Sequence, residues 1–252
     1  MSLYESAYIR ESCIEDLKEM ASPEDWDNQH IAAYLNHTFN RIMEEYDAAE
    51  TEEDKQKKFS MSEEYACFNT GLVTENYSPI YMCLEKNQNE NRQPWFCKGF
   101  FSSSVPNELK NLVLPERANY FTRPEELIYD YRLPIKVDVD HIFSDENIVR
   151  FPNYIRAKYS LNALRNLFNG AVLEAEKRLA VNYKLAVPQY FNGTFQLLVP
   201  IDLENKGSAD VALTMFKAKS CYSARTCLTL EMAYYNARLI AKPEGWLQKT
   251  VA

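Results

Sequence analysis

The sequence predicts an α+β protein: a central, mainly antiparallel sheet with one long helix and one C-terminal helix packed on it, preceded by a helical N-terminal segment. Three observations predict it. Residues 182–203, NYKLAVPQYFNGTFQLLVPIDL, set two β-branched, aromatic and aliphatic runs on either side of Asn192-Gly193, a dipeptide suited to the positive φ angles of a two-residue hairpin turn. Residues 153–179 carry Ile155, Tyr159, Leu164, Phe168, Val172, Ala175 and Leu179 at helical spacing. Residues 232–240 repeat that spacing over a shorter length and stop before Pro243. A turn centred on Asn192-Gly193 pairs Tyr190 with Phe195, Gln189 with Gln196 and Val187 with Leu198. Apolar side chains then fall on both faces of the hairpin and need cover on both.

Each element follows in order. Residues 3–20 form an amphipathic helix with Leu3, Ala7, Ile14 and Leu17 on its apolar side. Ser22 caps, and Pro23 opens, a second helix that carries Trp26, Ile31, Tyr34, Leu35, Phe39, Ile42, Met43 and Tyr46. Residues 47–58, DAAETEEDKQKK, have no apolar period and read as a solvated helix end or linker, which divides a helical segment, 1–58, from an α+β domain, 59–252. Residues 68–72, 80–84 and 95–101 read as strands of a meander, followed by a short helix over 108–120 broken at Pro115. Residues 127–131 and 135–142 read as two further strands. The long helix, with a kink at Asn169-Gly170, then leads into the hairpin, strands over 211–216 and 224–230, and the terminal helix.

Composition bounds the function. The chain has 252 residues, 46% of them hydrophobic, enough for a sizeable core. No stretch nears the ~18 uninterrupted apolar residues of a membrane span, and the polar, acidic start is unlike a signal peptide, so a cytoplasmic protein is expected. Six cysteines without a CxxC pair, and three histidines, indicate neither a disulfide framework nor a structural zinc site. Six well-separated glycines exclude GxGxxG and P-loop phosphate cradles, and GxSxG and HExxH are absent. The sequence names no cofactor and no metal. Charge is graded along the chain: residues 1–64 carry 17 acidic and 6 basic side chains, whereas residues 150–252 carry 7 and 14. Such a gradient fits an anionic partner at the basic end, or an acidic segment folded against it.

The candidate site residues are polar groups set in apolar runs. Asp138 and Asp140, two apart on a strand, share a face and suit a divalent metal or an acid and base pair, with His141 beside them as the third catalytic candidate. The alternative is a solvent-facing strand with a structural histidine. Arg150, just before a helix start, suits a phosphate held with free amides, or an ion pair with Asp145 or Glu146. Gln189 and Gln196, opposed in the hairpin, either satisfy each other or read a base edge. Lys184, Arg225, Asn236 and Arg238 complete the substrate-binding set in the basic third of the chain, with Glu231, Tyr235 and Arg238 along one stripe of the last helix. Aromatic and basic side chains together on a sheet bind single strands by stacking and charge.

Four blocks, FNTGLVTENYSPIYMCLEKN, DHIFSDENIVRFP, NYKLAVPQYFNGTFQLLVPIDL and LTLEMAYYNARLI, occur in an order that resembles an uncharacterised bacterial and eukaryotic domain-of-unknown-function family. The resemblance covers nearly the whole chain. Members of that family can be joined to OST-HTH (LOTUS) or cold-shock modules, so the resemblance implies an RNA-related setting and no particular reaction. The expected function is RNA or nucleotide binding, with phosphodiester processing as its enzymatic extension. The competing expectation is a non-catalytic interaction or scaffold domain that meets a protein partner through the acidic N-terminal segment.

Overall fold

The computed structural model describes residues 2–21, 26–89, 91–102, 104–191 and 193–243. The Ser22–Pro23 helix start and Asn192 of the hairpin turn lie outside the described residues. The chain divides into two compact units, Met1–Asn119 and Tyr120–Ala252. The fold is α+β, as expected, with its strands gathered into two five-stranded sheets, one in each unit.

The first unit opens with helix α1 (Leu3–Ser6), strand β1 (Ala7–Tyr8) and helix α2 (Glu11–Met20), where the sequence suggested one continuous helix. Ser2 and Glu5 close a capping box around α1, which ends after one turn because Ala7 is already extended. Helix α3 (Asn28–Ala48) starts from an Asp27 cap and buries Ile31, Tyr34, Leu35, Thr38, Phe39 and Ile42, one apolar stripe at three- and four-residue spacing. Helix α4 (Glu52–Lys58) buries no residue, as its lack of an apolar period implies. Lys58 nonetheless ties it to Glu45 and Glu116.

Strands β2 (Ser60–Met61), β3 (Tyr65–Val73), β4 (Pro79–Lys86) and β5 (Trp95–Phe101) complete the sheet in the order β1-β5-β4-β3-β2. Phe39 of α3 meets Phe68 of β3 with ring centroids 5.5 Å apart. Gly71 interrupts β3 with φ +74°, and a side chain there would meet the Tyr34 hydroxyl at 2.7 Å, so only glycine fits. The displaced backbone is satisfied locally: the Asn69 side chain accepts from Gly71 N–H and the Thr70 hydroxyl donates to the Ile80 carbonyl.

The second unit begins with a 3₁₀ turn, Pro124–Leu127, in place of the expected strand over 127–131. Strand β6 (Ile135–Val137) is then cut short by helices α5 (Val139–Ile142), α6 (Asp145–Ile148) and α7 (Asn153–Lys158). Helix α8 (Leu161–Val181) follows a break at Tyr159-Ser160, where the Ser160 hydroxyl caps Ala163 N–H. Gly170 lies inside α8, so the division falls one helix start earlier than the Asn169-Gly170 position read from sequence.

Strands β7 (Val187–Phe191), β8 (Thr194–Ile201), β9 (Val211–Lys217) and β10 (Tyr222–Leu228) give the order β6-β10-β9-β8-β7, and helix α9 (Leu230–Ile240) ends the described fold. The hairpin register is the one expected, Val187 with Leu198, Gln189 with Gln196 and Tyr190 with Phe195, and Gly193 has φ +73°. β7 lies at the sheet edge. Leu197, Val199 and Ile201 join Leu164, Phe168, Val172 and Leu179 of α8 in one core. The alternate side chains of the hairpin face α9. Among the described residues no helix is long and apolar enough to cross a membrane.

Candidate functional site

Strand pairing in the second sheet creates a recess. β8 and β9 are paired from Ile201–Val211 to Leu197–Met215, and no further. Beyond that point β8 continues into the hairpin with β7, and β9 into the hairpin with β10. The two hairpins leave a cleft of about 520 Å³ lined by Phe195, Gln196, Phe216, Lys217, Lys219 and Arg123, with Glu125 and Glu126 beside them. That volume suits a small organic ligand. Phe216 is 39% exposed, and Lys217 and Lys219 are exposed.

Electrostatics arrange the cations. Hydrogen bonds from the Arg132 side chain hold the Asp130 carboxyl at about 2, so it stays ionised, and Lys217 reaches toward it at 4.0 Å. Arg123 pairs with Glu126. No carboxylate engages Lys219 among the described residues.

Three predicted site residues meet behind this cleft. Gln189, 1% exposed, donates from Nε2 to Gln196 Oε1 at 2.6 Å and accepts from Asn236 Nδ2 of α9 at 3.1 Å. This amide relay satisfies the buried Gln189 and fixes which end of Gln196 is left over. The oxygen of Gln196 faces Gln189, and no acceptor engages its amide nitrogen among the described residues. Register alone indicated the Gln189–Gln196 pair; Asn236 joins through packing of a helix some forty residues later.

The remaining predicted residues lie elsewhere. Asp138 and Asp140 do not share a strand face, because β6 ends at Val137. Asp138 is the α5 cap, accepting from His141 N–H at 3.1 Å, and its other oxygen lies 3.5 Å from Arg225. Arg225 sits where the β9–β10 register shifts, a bulge that separates it from the sheet interior. Asp140 pairs instead with Arg165 at 2.9 Å, and His141 is exposed. The three catalytic candidates therefore form no acid and base pair, since helix geometry sends successive side chains of α5 in different directions.

Among the described residues Arg150 makes no ion pair with Asp145 or Glu146. It donates to the Cys227 carbonyl at 3.1 Å, bracing β10. Lys184 is exposed on a 3₁₀ turn, Tyr183–Leu185. Arg238 is only 4% exposed, which removes it from any surface role. The buried stripe of α9 runs through Ala233, Tyr234, Ala237 and Arg238, while Met232 is 41% exposed.

Sequence reasoning missed Phe195, Phe216, Lys217, Lys219 and Arg123. The run Phe216-Lys217-Ala218-Lys219, an aromatic and two lysines closing an apolar strand, is the signal that could have found them. Among the described residues no group of three or more His, Cys, Asp or Glu side chains is placed to hold a metal ion. All six cysteines are buried and unbridged, and burial pushes the Cys67 thiol up to about 12 and the Cys83 thiol up to about 11.

No curated protein and no solved structure matches the chain. One family model does, spanning residues 17–246, and on that match the chain belongs to the DUF3825 family, a domain of unknown function.

Proposed function

We propose that residues 120–252 bind a nucleotide, free or as part of a short single strand of RNA, in the cleft between the two hairpins. The observation that carries this reading is the Gln196 amide: its oxygen is engaged by the buried Gln189, and the residue lines a cleft together with Phe195, Phe216, Lys217 and Lys219. Donors in fixed directions suit the acceptors of a base edge, the rings suit stacking, and the lysines suit phosphate. Buried polar groups that are this well satisfied hold their geometry, so the donors are organised before a ligand arrives.

The test is a binding titration of a mononucleotide panel and short oligouridine at two salt concentrations. The expected result is binding that weakens as salt rises, and weakens again in Lys217→Ala/Lys219→Ala and in Gln196→Leu. A folded protein that binds none of these at low salt overturns the reading and moves the scaffold class ahead, with the acidic N-terminal segment, residues 1–58, as the protein-binding surface. Phosphodiester processing is the extension of this proposal. Incubating bound RNA with and without a divalent cation tests it, and an intact strand leaves a binding module.

A further inference from the structure

The first unit carries an aromatic and cationic platform on its own sheet. Tyr8 of β1 pairs in register with Phe96 of β5, Phe96 with Glu85 of β4, and Glu85 with Tyr65 of β3. Residues directly opposed in neighbouring strands share a face, so Tyr8, Phe96 and Tyr65 lie on one side of the sheet. Each ring has a cation over it. The Arg92 guanidinium is 5.6 Å from the Tyr8 centroid, that of Arg10 is 5.3 Å from the Phe96 centroid, and Lys98 Nζ is 5.5 Å from the Tyr65 centroid. The Tyr8 and Phe96 rings stack with centroids 6.0 Å apart and planes inclined by 24°.

Several cations of the unit are already engaged, although Lys18, Lys86 and Lys110 are exposed with no carboxylate partner among the described residues. Arg41, Lys55, Lys57 and Lys58 all meet carboxylates. Lys98 meets Glu85 and Glu108, and Glu85 also accepts from the Tyr65 hydroxyl, so the one acid on the row is taken. Arg10 and Arg92 are exposed and meet no carboxylate among the described residues, in a unit with twice as many acidic as basic side chains. Their guanidinium groups are steadied by the rings; one Arg10 nitrogen also donates to Cys13 Sγ at 4.0 Å, and the remaining N–H groups face no carboxylate among the described residues.

We infer that the face formed by Tyr8, Phe96, Arg10 and Arg92 binds single-stranded nucleic acid. A single strand offers the combination the face is built for: planar bases to stack on the exposed Tyr8 ring or on guanidinium planes, and phosphates at intervals to meet the two arginines. A duplex hides its bases, and an acidic peptide supplies charge without stacking. The face uses residues apart from the cleft of the second unit and does not rest on the reading given to that cleft.

The experiment titrates labelled oligouridine of about 12 nucleotides, a length within the range of single-strand sites, against the full chain. Arg10→Gln/Arg92→Gln and Tyr8→Leu/Phe96→Leu are each expected to weaken binding about tenfold or more. The arginine variant should also flatten the slope of log affinity against log salt by about 1.4, because each single-strand phosphate contact contributes ~0.7. The aromatic variant should leave that slope unchanged. Ultraviolet crosslinking of the unaltered protein should place RNA on the peptides that hold Tyr8 and Phe96, a readout that stands even where a variant fails to fold. Unchanged affinity in folded variants, equal binding of duplex, or equal competition by polyglutamate overturns the inference. Loss confined to Lys217→Ala/Lys219→Ala also overturns it while supporting the cleft; loss confined to the platform variants supports it and counts against the cleft.

Discussion

The two units solve the same architectural problem with different interiors. Each has a five-stranded, mainly antiparallel sheet with a very short parallel strand at one edge, β1 beside β5 in the first and β6 beside β10 in the second. Yet residues 1–119 hold 22 acidic and 11 basic side chains, and residues 120–252 hold 14 and 17. Both interiors bury thiols and aromatic rings, Cys67 and Cys83 directly opposed in the first and Cys227, Tyr222 and Phe168 in the second, and the second adds a relay of three side-chain amides centred on the buried Gln189. Thiols and rings fill space with few directional demands. Amides bury well only when each partner is placed, so the second interior specifies positions as well as volume. The groups proposed to bind on the second sheet are therefore oriented from within, by Gln189 and Asn236, and those proposed on the first are oriented from without, by Tyr8 and Phe96.

The largest expected effects test whether the units are separate folding bodies. Phe68→Ala removes a ring packed against Phe39 and Phe59, and Phe168→Ala one packed against Phe143 and Phe151. Both side chains are fully buried, and each deletion should cost about 3–5 kcal/mol. Hydrogen exchange should lose protection only in the unit that carries the change; loss in both at once breaks the division. Limited proteolysis decides the boundary from another side. The sequence puts it at residue 58, but α3 packs its Phe39 onto Phe59 and Phe68, so the expected folded fragment begins near Tyr120. A stable fragment that begins near Phe59 would instead favour the helical-segment boundary.

Next come the features that make the second interior demanding. Gln189→Leu strands both Gln196 and Asn236 and should lower stability by about 1–3 kcal/mol in urea denaturation. Adding Gln196→Leu should cost less than the sum of the single changes, since the two residues share one hydrogen bond. Additive costs would mean that the relay does not act as a unit. Gly193→Val puts a β-branched side chain at φ +73° and should cost about 1–3 kcal/mol, read as a lower melting temperature.

The smallest effect concerns charge. Hydrogen bonds from Lys158, Lys206 and Tyr159 hold the Glu204 carboxyl at about 2, as Arg132 does for Asp130. Both folded values lie below those of the unfolded chain, ~4.3 for glutamate and ~3.9 for aspartate. The stability they contribute is therefore present above those unfolded values and lost as pH falls toward about 2. The urea midpoint of the unaltered protein should fall across that window more steeply than that of Glu204→Gln/Asp130→Asn. Parallel curves would show that other carboxylates govern acid unfolding.

What the amino-acid order determined alone is what neighbours along the chain can settle. The register of β7 with β8 follows from alternation around a turn containing Gly193, and α3, α8 and α9 follow from apolar residues spaced by one helical turn. The start of α8 at Ser160 was also a local signal, masked by an apolar period that runs across it. Tertiary structure decided the rest. β6 stops at Val137 because Asp138 caps a helix, which parts Asp138 from Asp140. Arg238 lies inside because packing of α9 chooses which of two overlapping stripes is buried, a choice that helical spacing leaves open. Asn236 reaches Gln189, and Phe195 and Phe216 flank one cleft, only because strands and a helix distant in sequence are brought side by side, and a contact of that kind has no period to read.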